Sequence, residues 1–144
     1  MLTQEQARSV CSDRTVLVVD DRESVRDVLR AILEDAGARV VEAATVNAAQ
    51  AFLEQSAPDA VLTDLELTPH WRGGLAILEQ VKRRTPSCPV LLLTAWSDES
   101  DKLRAQGFDA VLLKPTSPAD LITAVASVIE RSRRDSNRSS VTAA

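Results

Sequence analysis

Val16-Leu17-Val18-Val19-Asp20-Asp21 is an unbroken apolar run closed by two acids, and it has three counterparts further along the chain. Ala60 to Thr63 runs into Asp64, Val90 to Leu93 into Thr94, and Ala110 to Leu113 into Lys114 and Pro115. Runs that are continuous rather than alternating, and rich in Val and Leu, are those of parallel strands buried on both faces. Parallel strands all point one way, and open α/β sheets bind ligands outside the carboxyl ends of their strands. The pattern therefore brings three carboxylates (Asp20, Asp21, Asp64), the Thr94 hydroxyl and the Lys114 ammonium to one crevice.

The segments between these runs carry helical periodicity, giving a β-α unit repeated five times: an α/β, doubly wound parallel sheet with helices on both faces. Val25, Val28, Leu29, Ile32, Leu33 and Ala36 form an apolar stripe, and Gly37 is placed to end that helix in a left-handed conformation. Arg39 to Ala43 is a short strand whose charges, Arg39 and Glu42, suit a sheet edge. A helix over Ala48 to Gln55 turns Phe52 and Leu53 inward, and a turn-rich stretch, Thr68 to Gly74, precedes a helix bearing Leu75, Leu78 and Val81. The next helix, about Asp98 to Gln106, offers only Leu103 and Ala105 as apolar anchors, so weak packing is expected there. In the last, Ser117 caps, Pro118 follows, Asp120 completes the capping box, and Leu121, Val125, Val128 and Ile129 form the stripe.

With 144 residues and 44% hydrophobic content, the chain suits one domain large enough to build its own core. Residues 1–12 read as a polar N-terminal extension, 13–132 as the domain, and 133–144, rich in Arg and Ser and lacking an apolar face, as a tail or linker stub. Seventeen basic residues against 21 acidic ones, a net charge of -4, argue against direct nucleic-acid binding over the surface. Cys11 and Cys88 have no metal-type spacing and read as thiols of a reducing compartment. No apolar run approaches the ~20 residues that a membrane helix needs, so a soluble cytoplasmic protein without membrane partners is expected.

Singly, each strand-end residue has an ordinary explanation: a helix-start acid, a β-branched strand residue, a solvated lysine. Jointly they do not. Two full charges ~4 Å apart cost about 4 kcal/mol at an effective dielectric near 20, so three clustered carboxylates call for a cation. One or two carboxylates plus a phosphate is the usual Mg²⁺ setting, with Asp21 and Asp64 as direct ligands and Asp20 holding a metal-bound water. Asp64, alone at the end of a central strand, is the candidate nucleophile for a phosphoryl group. Lys114 would then offset charge on the transferred oxygens, and Thr94 would donate a hydrogen bond to one of them.

Val-Leu-Val-Val-Asp20-Asp21, Val-Leu-Thr-Asp64, Leu-Leu-Leu-Thr94-Ala95 and Leu-Leu-Lys114-Pro115 together resemble the receiver domain of bacterial two-component response regulators, over about residues 13 to 132. The resemblance implies a flavodoxin-like strand order 2-1-3-4-5, Mg²⁺ dependence, and phosphorylation of Asp64 by a histidine kinase or histidine phosphotransfer protein. It also implies a metal shell completed by the backbone carbonyl of Glu66, and a cis Lys114-Pro115 bond. A domain of this kind catalyses only its own phosphorylation and dephosphorylation. Further partners it suggests are a downstream protein, a C-terminal output domain beyond this chain, or a second copy of the chain.

Departures from that pattern are informative. Val111 stands where the family usually carries an aromatic output switch, and the loop after Asp64 is longer than usual, inserting His70, Trp71 and Arg72. Trp71 and Trp96 are expected at the mouth of the crevice, Trp96 in a switching loop, whereas His70, without partner ligands, reads as a solvent-exposed residue. The competing enzyme reading is a haloacid-dehalogenase-like phosphatase, whose motif Asp64-Leu-Glu66-Leu-Thr68 imitates. That family places its nucleophile on the first strand and its metal acids later, the reverse of the order here.

Overall fold

The structure, a computed structural model, describes residues 2–67, 72–95 and 100–142. The elements run α1 (Gln4–Cys11), β1 (Thr15–Val19), α2 (Glu23–Asp35), β2 (Arg39–Ala43), α3 (Val46–Gln55), β3 (Ala60–Asp64), α4 (Gly73–Arg84), β4 (Val90–Thr94), α5 (Ser100–Ala105), β5 (Ala110–Leu113) and α6 (Pro118–Thr142). The five strands pair in parallel in the order β2-β1-β3-β4-β5, the order the resemblance implied. The reason lies in the side chains. Alternate residues of each central strand face opposite layers, so Val16, Val18, Leu62, Leu91 and Leu93 enter one core with α2 and α6, while Leu17, Val19, Val61, Val90 and Leu92 enter the other with α3 and α4.

Strand ends are aligned by register. Val19 pairs with Thr63, Asp64 with Leu93 and Thr94 with Leu113, so Asp20, Asp64, Thr94 and Lys114 leave one edge of the sheet together. β2 lies at the sheet edge, as its charges suggested. Gly37 ends α2 with φ 93, where a side chain would be strained, and the Lys114-Pro115 bond is cis.

Three sequence expectations need correction. The stretch read as a polar extension is helical: Thr3 caps α1 through a reciprocal capping box with Gln6, and Ala7 and Cys11 are fully buried. α1 lies along α6, where Gln4 Nε2 donates to Ala119 O at 3.2 Å and Thr123 Oγ1 at 2.7 Å, and Cys11 Sγ approaches Ile122 O. Nor does the last helix stop near Arg131. α6 continues to Thr142 through the residues read as a tail, because Arg is a good helix former and Glu130 pairs with Arg133 and Arg134 one turn on. Val28, expected in the buried stripe of α2, is 59% exposed. One position is about 100° of helix rotation, which takes Val28 outside the arc centred on Leu29 and Leu33.

α5 is anchored by the buried Leu103 in the same core as Phe108 and Val111. Its expected start at Asp98, most of the turn after Asp64, and Trp96 lie outside the described residues.

Both thiols sit in apolar surroundings. Burial pushes Cys11 up to about 11 and Cys88 up to about 12, and Cys88 Sγ also donates to Pro58 O at 3.3 Å. Neither is then a thiolate near neutrality, and neither is accessible. A chromogenic disulfide reagent at pH ~8 is expected to leave both unmodified in the folded chain and to titrate both in urea. Rapid reaction of either thiol without denaturant would contradict this packing.

Candidate functional site

Asp20 follows the last residue of β1 and is almost fully buried, with 1% exposure. Its Oδ1 accepts the Arg22 N–H at 2.9 Å and its Oδ2 accepts Lys114 Nζ at 3.2 Å. Asp64, the last residue of β3, faces it: Oδ2 accepts the same Lys114 Nζ at 3.2 Å, and Oδ1 accepts the Leu65 N–H at 2.8 Å. One ammonium, on a side chain only 26% exposed, thus bridges the carboxylates at the ends of two neighbouring strands. Its position is fixed from behind, because the Lys114 N–H donates to Thr94 O at 2.8 Å, and this joins the ends of β4 and β5.

Burial is the largest influence on the Asp64 carboxyl and raises its pKa above the ordinary aspartate value; Lys114 opposes this, and the nearby Asp20 charge adds to it. Lys114 therefore does not fully compensate the buried negative charge. Asp21 completes the cluster: one oxygen each from Asp20, Asp21 and Asp64 can be chosen so that all lie within 4.8 Å of one another. An all-carboxylate set fits a hard, oxygen-seeking divalent cation rather than a soft one, and a cation there would relieve the charge that Lys114 leaves.

The chain behind Asp64 is tightly built. Gly74, at the start of α4, donates its N–H to Leu65 O at 2.9 Å, and a Cβ on it would stand 2.5 Å from the Asp64 carbonyl oxygen. Thr63 Oγ1 donates to that same carbonyl at 2.8 Å.

The structure thus brings together Asp20, Asp21, Asp64 and Lys114, with the buried Thr94 at the adjoining strand end. The Glu66 side chain is exposed. His70, Trp71 and Trp96 lie outside the described residues. Sequence reasoning missed Arg26, whose Nη1 donates to the Asp20 carbonyl at 2.7 Å; periodicity showed only that it lay off the apolar stripe. It also missed an apolar groove of about 370 Å³ beside Lys114, formed by Val25, Val28 and Ile32 of α2 with Leu93 and Pro115. Its signal was present in Val28, an apolar residue more than the helix could bury.

Residues 16–126 match the family model of the response regulator receiver domain. The chain belongs to this family. Among curated proteins, the receiver domain is 31% identical over 122 residues to the phosphate regulon transcriptional regulatory protein PhoB of Pseudomonas aeruginosa, covering 82% of this chain and 52% of that protein. It is also 31% identical over 122 residues to the alkaline phosphatase synthesis transcriptional regulatory protein PhoP of Bacillus subtilis, covering 83% of this chain and 50% of that protein. The chain spans about half the length of these relatives. Among solved structures, a CheY-like response regulator receiver domain protein from Methanospirillum hungatei superposes with a TM-score of 0.78 at 27% identity, covering 86% of this chain and 99% of that one. NtrX from Brucella abortus superposes with a TM-score of 0.82 at 26% identity, covering 90% of this chain and 29% of that one. Among the described residues, no helix is long and apolar enough to cross a membrane.

Proposed function

We propose that this receiver domain is a phosphorylation-activated switch that accepts a phosphoryl group on Asp64 from the phosphohistidine of a histidine kinase or histidine phosphotransfer protein, in the cytoplasm and with Mg²⁺. The observation that carries the reading is the single ammonium of Lys114 held 3.2 Å from both Asp64 and Asp20. An ammonium so placed is within reach of oxygens arriving on Asp64, where negative charge gathers during transfer.

In the transfer, an Asp64 carboxylate oxygen forms a bond to phosphorus while the bond from phosphorus to the donor imidazole nitrogen breaks, the electron pair leaving with the imidazole. The Leu65 N–H and Lys114 hold the carboxylate in one orientation before the donor arrives. Asp20, Asp21 and Asp64, with the Glu66 carbonyl, would hold Mg²⁺, which when bound supplies the positive charge that the acid cluster lacks. Thr94 donates its hydroxyl to a phosphoryl oxygen, and the strand end it shares with Lys114 shifts with it. The same residues serve hydrolysis, so the chain's chemistry is confined to its own acyl phosphate.

The groove formed by Val25, Val28, Ile32 and Pro115 beside Lys114 supports docking of an apolar helix face of the phosphodonor. Output passes to a downstream protein, to a domain joined through the helical continuation of α6, or to a second copy of the chain. The length of the relatives supports the joined domain.

Incubation with acetyl phosphate and Mg²⁺ is expected to add one base-labile phosphoryl group per chain, read by intact mass, and a chelator is expected to prevent it. Labelling that is indifferent to chelator, or stable to base, would overturn the proposal.

A further inference from the structure

Arg26 stands in the first turns of α2, off the apolar stripe, and its side chain is only 15% exposed. A guanidinium with that little access to water needs partners, and it has one just past the end of β1 and one on β2. Nη1 donates to the backbone carbonyl of Asp20 at 2.7 Å, and Nε donates to Glu42 Oε1 on β2 at 3.2 Å. Glu42, 23% exposed, is in turn held through Oε2 by Arg30 Nη1 at 2.7 Å, one helical turn beyond Arg26. Arg30 also pairs with Glu34 at 3.0 Å.

This chain of pairs ends on an unusual acceptor. The peptide that links the two acids of the cluster carries the Asp20 carbonyl, which Arg26 takes, while the peptide before it is held by the Asp20 N–H donating to Ala43 O at 3.2 Å. Because the peptide unit is planar, fixing the carbonyl of Asp20 fixes the N–H of Asp21 and the direction in which the Asp21 chain departs. Asp20 itself is immobilised by Arg22 and Lys114. The carbonyl that Arg26 holds is therefore one fixed point in the orientation of Asp21 relative to Asp20.

We infer that Arg26 is a positioning residue for the acid cluster: by joining the Asp20 carbonyl to Glu42, it sets the peptide that aims Asp21 at the cation site. The inference rests on the receiver-switch reading for its purpose, but not for its geometry. Glu42 neutralises the guanidinium and holds its plane, so one donor points at the carbonyl while the positive charge does not compete with a cation for the carboxylates. Lysine cannot replace it, because an ammonium is a point donor and lacks the fork that spans carbonyl and carboxylate together.

Two measurements on the full chain test this. In metal-free protein, Arg26→Lys and Arg26→Ala are expected to move the Asp21 amide resonance and speed its hydrogen exchange, while amides of β4 and β5 stay in place. In calorimetric titration with Mg²⁺ alone, both variants are expected to bind about tenfold more weakly, the scale on which outer-sphere partners of metal ligands act. Glu42→Gln is expected to show part of that loss, and adding it to Arg26→Ala is expected to cost nothing further, since both act through one carbonyl. A residue serving only to tie α2 to β2 would lower the melting temperature without altering Mg²⁺ affinity in the folded variant. Unaltered Asp21 resonances in both Arg26 variants would overturn the inference, as would additive losses in the double variant. Failure of the native chain to bind Mg²⁺ would overturn the switch reading instead, with the metal-free spectra still deciding the role of Arg26. Should Arg26→Ala not fold, Arg26→Lys and Glu42→Gln carry both measurements.

Discussion

Asp64→Asn is expected to abolish labelling by acetyl phosphate while making the metal-free protein more stable. The first effect follows from removing the attacking oxygen: loss of a nucleophile costs on the order of 10³-fold or more in rate, which takes labelling below detection. The second follows from the raised Asp64 pKa, whose main cause is burial. A carboxyl whose folded pKa lies above its unfolded one binds its proton more tightly when folded. Its contribution is fully present below the ordinary aspartate range and is lost as the pH rises through the raised value, so near neutrality the ionised group is a net cost. Asparagine keeps the shape without the charge, and Lys114 retains Asp20 as its partner. Thermal melts without metal from about pH 4 to 7 should fall in midpoint for the native chain and fall less for the variant. Mg²⁺ should narrow the gap at neutral pH by stabilising the native chain. Equal pH slopes for the two proteins would show that Asp64 is not the carboxyl that burial disfavours, and labelling that survives the substitution would show that it is not the acceptor.

Gly74→Ala should damage the same site from behind. A Cβ at Gly74 would stand 2.5 Å from the Asp64 carbonyl oxygen and 3.0 Å from the Leu65 Cα. Both are backbone atoms, so the strand end must move. Overpacking of this kind costs ~1–3 kcal/mol, and here the displaced peptide is that of Asp64, the proposed acceptor. Urea unfolding should show that loss, and labelling at a temperature where the variant remains folded should fall further than its stability explains. Gly73→Ala is the comparison: its Cβ would meet Val46 Cγ2 at 2.5 Å, a side chain outside the acid cluster. It should destabilise while leaving labelling of the folded fraction near the native rate. Equal labelling by the two variants would mean that the Gly74 contact does not position Asp64.

The sheet was legible because strands buried on both faces leave continuous apolar runs, and four such runs agree with β1, β3, β4 and β5 to within a residue. The gathering of Asp20, Asp21, Asp64 and Lys114 was legible for the same reason, since parallel strands end together. What escaped the sequence is what depends on a neighbour. α1 has few apolar residues, Ala7 and Cys11 the most buried of them, because it covers one narrow strip of α6; its one local signal was Thr3 followed three residues later by Gln6, a capping box in plain view. The length of α6 was missed because residues 131–136 are mostly exposed and show no stripe; there propensity and ion pairs sustain the backbone. Arg26 and Glu42 stand 16 residues apart, and no spacing rule links a helix residue to an edge strand and a carbonyl.

The N-terminal helix has a practical consequence for anyone who cuts this domain out of a longer gene. The family match begins at residue 16, and a clone started there would lack the whole of α1. Such a fragment would keep every residue of the acid cluster, yet it would leave a strip beside Ile122 bare where Ala7 and Cys11 now pack, and would free the start of α6 from Gln4. Stickiness or poor yield from that clone would then reflect where the scissors fell, and the remedy is to keep the first dozen codons.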